Sequence, residues 1–436
     1  MVFETLRAHQ GRPGAQRHGQ HQRHHQGQAE AGLPAGRRAQ ALNQTALPAE
    51  AERLLFLDGL RALAALWVMF GHIYLFAVGW QAQTFWAALP LNLLMYMHLG
   101  VDIFLVLSGY CLALPAVRHG YRVAAGWSSF FTARAFRILP PYMATLALIL
   151  LVNCFVPLAA WGRHDLGLTA TMSSQVWWSN LLLLQDIYGQ YNNINGAFWS
   201  IACEWHLYFT FPLLIWLLRR YGLGVLLAVS IALAWGLTRL SGAYPRLPLL
   251  DASVPQPPYF IALFVLGIAA AALAHGQPFA AWRAQMQRHA WVAAAMLLAL
   301  LAGVIHHYFI VDPASAVKFA GRFALVDPLT GAFSAALLVA LSGLAPGRPL
   351  RRLFEQRALV RIGGFSYSLY LVHIPIVASV FQGLLQLPAY ANLGSLPKFF
   401  GLALLAAPLC LGFAYGFARV FERRIHWRPR RRGAPA

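Results

Sequence analysis

Charge is scarce in this chain. Asp, Glu, Lys and Arg make up 11% of 436 residues, and 59% of the chain is hydrophobic. A soluble domain carries about 25% charged residues, so an ordinary water-soluble globule is excluded. Acidic residues are scarcer still, 14 against 34 Lys and Arg, which leaves a formal net charge of +20. Cysteine is also rare. Cys111, Cys154, Cys203 and Cys410 each fall in or beside an apolar run, and no pair has metal-ligand spacing. That argues against a disulfide framework and a zinc site, and no metal is expected. The four are read as buried small residues. Strictly alternating apolar runs are absent, which argues against a β-barrel. Residues 1–52 have no continuous apolar core, so a signal peptide is not expected there. No internal repeat is visible, and the matched broken helices of an inverted-repeat transporter are not found.

The apolar residues come instead in runs of about twenty, and mean hydropathy is +0.54. Runs of that length span the hydrocarbon core of a bilayer as helices. Ten segments are predicted: 56–78, 92–114, 138–158, 197–218, 222–240, 259–275, 290–310, 326–344, 363–383 and 398–420. The expected fold class is therefore all-α and integral to the membrane, a bundle of about ten transmembrane helices. A shorter apolar patch, 177–184, is expected to lie at the interface, with Trp177 and Trp178 at headgroup level. Residues 1–52 form a basic tail rich in Gln, His and Arg and without periodicity, so it is expected to be disordered. Its stretch H-G-Q-H-Q-R-H-H-Q at 18–26 is a weak metal-binding candidate and is read as solvated tail. Residues 53–424 form the transmembrane domain and 425–436 a basic tail. About a dozen residues follow the last helix, so no appended hydrolase domain is expected within this sequence.

The basic residues decide orientation. With the N-terminus in the cytoplasm, ten spans place 27 basic residues on the cytoplasmic side and six on the other, with Arg61 inside the first span. Such asymmetry is the positive-inside pattern, and it puts both termini in the cytoplasm. It also accounts for the net charge through anionic lipid rather than nucleic acid.

Several polar groups stand inside the apolar runs. In F-L-D-G-L-R-A-L-A-A-L-W-V-M-F-G-H, Asp58, Arg61 and His72 share a helical face. The eleven residues from Arg61 to His72 climb about 16 Å, which brings His72 near the middle of a core about 30 Å thick. A titratable imidazole there is either a paired packing group or a functional one. Asp102 lies in G-V-D-I-F-L-V-L-S-G-Y and is read as a carboxylate near a helix N-terminus. Arg134 and Arg137, in R-A-F-R-I-L-P-P-Y, are read as an i, i+3 pair at the cytoplasmic start of the third helix. There they suit a polyphosphate or serve as topology signals. Ser200, Glu204 and Tyr208, in W-S-I-A-C-E-W-H-L-Y-F, recur every four residues on one face. Ser366, Tyr370 and His373 line a stripe of F-S-Y-S-L-Y-L-V-H-I-P.

These pieces, in this order and closed by F-E-R-R at 421–424, resemble the acyltransferase-3 superfamily of integral membrane O-acyltransferases. The resemblance runs from about residue 54 to 424. It departs at Trp205 and His206, where the family commonly shows E-x-F or E-Q-F. It implies an acyl-CoA donor and a central role for Arg61 and His72, and it gives weight to Arg134, Arg137 and Glu204. The resulting expectation is an inner (plasma) membrane enzyme moving an acyl group, acetyl from acetyl-CoA by preference, to a hydroxyl of a cell-surface, lipid-linked or exported glycan. A small secondary metabolite is the alternative acceptor. In that scheme His72 is the base, and Asp58 and Arg61 orient it or touch donor. Arg134, Arg137 and Arg61 hold the donor's phosphates, and Glu204 is the second candidate base. The rivals are a transporter or flippase without covalent chemistry, and a binding module that has lost catalysis. The expected partners are the bilayer, acyl-CoA and the glycan, with no nucleic acid.

Overall fold

The structure, a computed structural model, describes residues 54–79, 89–154, 173–188, 194–243, 260–306 and 323–422. The tails assigned to 1–52 and 425–436, the His-rich stretch and Arg423 and Arg424 lie outside them. Every regular element among the described residues is helical. In chain order the helices are α1 Leu55–Val78, α2 His98–Arg118, α3 Gly126–Asn153, α4 Ser174–Leu181 and α5 Phe198–Ala243, then α6 Phe260–His275, α7 Arg283–His306 and α8 Phe323–Ser342. Two short helices, α9 Pro349–Phe354 and α10 Arg357–Gly363, lead to α11 Ser366–Leu385 and α12 Ser395–Phe421.

Eight of these helices are long and apolar enough to cross a membrane. One of the eight is α5, whose 46 residues contain Gly222 at φ 84°, ψ 179°. That conformation breaks the helix and only glycine adopts it at little cost, so the expected segments 197–218 and 222–240 are the two arms of α5. The expected segment 259–275 is α6. Its 16 residues span about 24 Å and are buried along most of their length, so protein rather than lipid surrounds it.

Burial sorts the helices into centre and rim. In α1 and α2, 67% of the most apolar stretch is buried, against 17% in α5 and 22% in α7. The rim helices expose Trp235, Met296 and, on α12, Leu404 at 64%, 67% and 75%. Contiguous exposed apolar faces of this kind are stable only against hydrocarbon. The protein is an all-α, multi-pass integral membrane protein.

Close backbone approach holds the centre together. Gly109 of α2 faces the Phe264 backbone, and Gly267 of α6 faces the Val106 backbone, with no room for a Cβ at either. Small residues let membrane helices approach where hydrophobicity offers no drive. On the opposite side α1 packs on α12 and α11 through Tyr74–Phe399 and Phe76–Phe381 edge-to-face pairs, each 5.8 Å between centroids. The closing F-E-R-R has a physical role at its Glu422. This carboxylate accepts from the backbone N–H and the hydroxyl of Ser368. Ser368 is the third residue of α11, whose N–H has no partner within the helix.

One boundary corrects the sequence reading. The third helix begins at Gly126, not near residue 138. Arg134 and Arg137 therefore lie about 12 and 16 Å along the helix axis rather than at a helix start, Arg134 half-buried and Arg137 exposed. A helix dipole fades within its first turn, so it adds nothing at either arginine. The patch at 177–184 is partly helical, as α4. Ser173 caps it by accepting from the Val176 N–H at 3.2 Å, Val176 and Asn180 are buried, and Trp178 is exposed.

Candidate functional site

A cavity opens between α1, α2, α3, α5 and α11, with about 670 Å³ of empty space including its open mouth. Three guanidinium groups line it, those of Arg61, Arg134 and Arg137, together with the carboxylate of Glu204. Stacking of Phe130 on Phe211 and of Phe131 on Phe209, at 5.0 and 5.4 Å, sets the register of α3 against α5. This register brings Arg134 and Arg137 opposite Glu204 and Tyr208.

Glu204 is bonded to hydroxyls. Its Oε1 accepts from Ser108 Oγ and from Tyr208 OH, both at 2.6 Å. Arg61 donates to Asp58 Oδ1 at 3.1 Å and to Cys111 Sγ at 3.0 Å. The i, i+3 pairing expected of Asp58 and Arg61 is thus present. Arg134 and Arg137 form no ion pair among the described residues, and Nε of Arg134 is buried without an acceptor. The chamber therefore holds two guanidinium charges with no bonded anion.

The Ser200–Glu204–Tyr208 face is as expected, and all three side chains line the cavity. Ser200 is bonded to Tyr370 OH at 2.7 Å. Ser366 and Tyr370 also reach the cavity, while His373 of the same stripe does not. Asn195 anchors this corner. Its amide donates to Leu371 O at 2.8 Å, and its carbonyl accepts from the Ala197 N–H just before α5.

His72 does not line the cavity with Arg61, although both belong to α1. It is buried against His373, with His373 Nε2 3.2 Å from His72 Nδ1. The backbone settles the tautomers. His72 Nδ1 lies 2.9 Å from Val68 O, and His373 Nδ1 lies 2.8 Å from Tyr370 O. A carbonyl only accepts, so both Nδ1 atoms carry hydrogen. His373 Nε2 then offers its lone pair to His72 Nδ1–H, and His72 Nε2 keeps its own lone pair. Tyr370 joins the two places. It lines the cavity, and its ring centroid is 5.7 Å from that of His373.

Sequence reasoning missed several residues here. Ser108 stood in a quoted motif without a role, and Tyr367 lines the cavity unremarked. Cys111 was read as packing and instead sits on the cavity wall beside Arg61, while Cys154 is exposed. His206, the departure from the family pattern, pairs with Asp186 at 2.8 Å. Burial pushes the Asp186 carboxyl up, and the hydrogen bond from His206 pulls it back. Asp102 was read as an ordinary helix-start carboxylate. It lies fully buried beside His98 and Asp327, neither of which was singled out.

Fold and cavity together define a class, a polytopic membrane protein built around a cationic chamber within the bundle. A family model described as an acyltransferase domain, acyltransferase 3, matches residues 54–415. The chain belongs to the acyltransferase-3 family, an integral membrane member of a family of acyltransferases. It is similar to acyltransferase MdmB of Streptomyces mycarofaciens, 27% identical over 350 residues, covering 76% of this chain and 81% of that protein. A Staphylococcus aureus protein provisionally named O-acetyltransferase is 25% identical over 399 residues, covering 86% of this chain. The match spans 58% of that relative's length. Protein 2 in the picA locus of Rhizobium radiobacter is 33% identical over 98 residues, which cover 22% of this chain and 44% of that protein. No solved structure matches the chain.

Proposed function

We propose that the protein moves an acyl group, acetyl by preference, from acyl-CoA to a hydroxyl of a cell-surface or exported glycan at the inner membrane. The observation that carries this reading is the pair Arg134 and Arg137, which line the cavity without a bonded anion. Charge inside a membrane domain is costly unless it is paired or serves a ligand. Guanidinium groups take phosphate oxygens bidentately, and the phosphates of CoA supply the matching charge. The names of the Streptomyces and Staphylococcus relatives favour acyl transfer and O-acetylation.

In this reading CoA enters from the cytoplasm. Its phosphates rest on Arg134 and Arg137, with Arg61 as the third cation. The pantetheine arm reaches towards Tyr370 and, once that ring turns aside, His72. His72 Nε2 takes the acceptor's hydroxyl proton as the oxygen attacks the thioester carbonyl. The C–S bond then breaks, and the CoA thiolate leaves with the proton returned by the imidazolium. General-base assistance of this kind contributes about 10²–10⁴-fold. The Val68 carbonyl fixes the tautomer that leaves Nε2 free. Glu204 is the second candidate base, favoured by its place in the same chamber as the arginines.

The direct test is transfer of labelled acetyl from acetyl-CoA by the purified chain in nanodiscs, alongside mass spectrometry of envelope glycans from deletion and wild-type strains. An acetyl mark present only in wild type supports the reading. Identical glycans together with no use of acetyl-CoA would sink it. The orientation is tested separately. Reporter fusions after residue 436 should be active only in the cytoplasm, and fusions within 244–259 only outside. The opposite result would overturn the assignment of both termini to the cytoplasm, which rests on the basic-residue asymmetry.

A further inference from the structure

Away from the acyl-transfer chamber, α2 and α8 bring together His98, Asp102 and Asp327. One ligand-capable atom of each lies within 4.8 Å of the other two. Asp102 and Asp327 are both 1% exposed. His98 Nε2 stands 3.0 Å from Asp327 Oδ1. Neither carboxylate oxygen of Asp102 has a hydrogen-bond donor. An ionised carboxylate buried this completely is strongly unfavourable unless a positive charge meets it. Here a second carboxylate stands beside it, which raises the cost.

We propose that His98, Asp102 and Asp327 form a binding site for one divalent cation of the zinc or manganese class. Three features favour it. The cluster leaves a polar group unsatisfied, because both buried carboxylate oxygens of Asp102 are without a hydrogen-bond donor. The donor set is one nitrogen with carboxylate oxygens, which suits borderline ions; the imidazole makes a magnesium or calcium cage the poorer match. The spacing is close to what a metal needs. Neighbouring ligands bound at about 2.0–2.2 Å in a tetrahedral shell stand about 3.4 Å apart. His98 and Asp327 are already at 3.0 Å, and a closure of about an ångström brings the widest pair into reach. The side chain of His98 is 19% exposed and gives the ion an entry.

The site is a positioning one. Asp102 is the fifth residue of α2, and its neighbours Val101, Phe104 and Leu105 line the chamber. A cation tying Asp102 to Asp327 would pin the first turns of α2 to α8 and set the chamber wall. It takes no part in acyl transfer.

The test uses the full chain in nanodiscs, stripped with EDTA, loaded with ZnCl2 or MnCl2 in separate samples, washed and analysed for metal. Wild type should hold one equivalent more than Asp102→Asn or Asp327→Asn. Ions held by the His-rich tail appear equally in all three and cancel. The melting temperature of wild type should fall on stripping and recover with metal, while the Asn variants should not respond. Equal metal content in wild type and both variants would overturn the site, as would a wild type whose melting ignores metal. If the Asn variants do not accumulate, His98→Gln keeps both carboxylates and should bind at least tenfold more weakly. An unchanged affinity there overturns the proposal too. Asn variants that melt above wild type with no metal response would instead assign the pair a shared proton only.

Discussion

α2 carries opposite electrostatic problems on two of its sides. Towards α1, α3 and α5 its Ser108 and Cys111 meet a chamber with guanidinium groups in excess and space beside them. Towards α8 its Asp102, with no hydrogen-bond donor on either oxygen, meets Asp327 and His98 in a tight cluster. A third polar group on the same helix has neither problem. Tyr110 OH is bonded to His275 Nε2 and Ser342 Oγ, each at 2.7 Å, and ties α2 to α6 and α8. The contrast teaches how to separate function from structure within a membrane. Polar groups that satisfy one another hold helices together. Groups left with uncompensated charge require something the protein does not itself provide, and the sign of the excess names its chemistry.

That contrast can be broken or sharpened by mutation. The largest effect should come from His72. His72→Ala is expected to lower acetyl transfer by about 10²–10⁴-fold, with little change in expression. His72→Gln should be nearly as inactive, because an amide cannot take the hydroxyl proton. A Gln variant with most of its activity would make His72 a positioning group. Glu204→Gln, assayed beside it, would then decide whether the carboxylate in the chamber is the base.

Next in size is the pair Arg134 and Arg137, proposed to hold the donor. Each charge-assisted hydrogen bond is worth about 1.5–3 kcal/mol, so Arg134→Ala with Arg137→Ala should weaken acetyl-CoA binding by about 100-fold or more. Calorimetry on the purified double variant checks this, and membrane insertion should be unchanged. Wild-type affinity in that variant would reduce the pair to topology signals.

The smallest effect should fall on the satisfied network. Tyr110→Phe removes one hydroxyl, and with it the bond to His275 Nε2 and one of the two bonds of Ser342, which still donates to Leu338 O. It should cost about 1–2 kcal/mol of stability, read as a lower melting temperature, with acetyl-CoA affinity unchanged. A loss of donor affinity instead would mean that the structural side of α2 and its chamber side are one unit.

Much of the fold was legible because a bilayer imposes helices and a minimum apolar length. Each of the ten expected segments has a helical counterpart. The main miss was the start of α3. Residues 126–137, G-W-S-S-F-F-T-A-R-A-F-R, are too polar to read as a span, yet the helix begins there, and Arg134 and Arg137 among them line the chamber. Asp327 was missed although an acid beside a proline in an apolar run is a signal in itself. His373 was seen as part of a stripe, but not as the partner of His72.

The sequence by itself determined the environment, the helical class and the faces on which Asp58 and Arg61, or Ser200, Glu204 and Tyr208, stand together. Helical periodicity is a local property and needs no neighbour. Only the tertiary structure decided which faces meet. It put Arg61, Arg134, Arg137 and Glu204 into one chamber, turned His72 away from that chamber onto His373, and set Asp102 against Asp327. The rotation and depth of one helix against another come from side-chain packing at close approach, as at Gly109 and Gly267. No single segment contains that information.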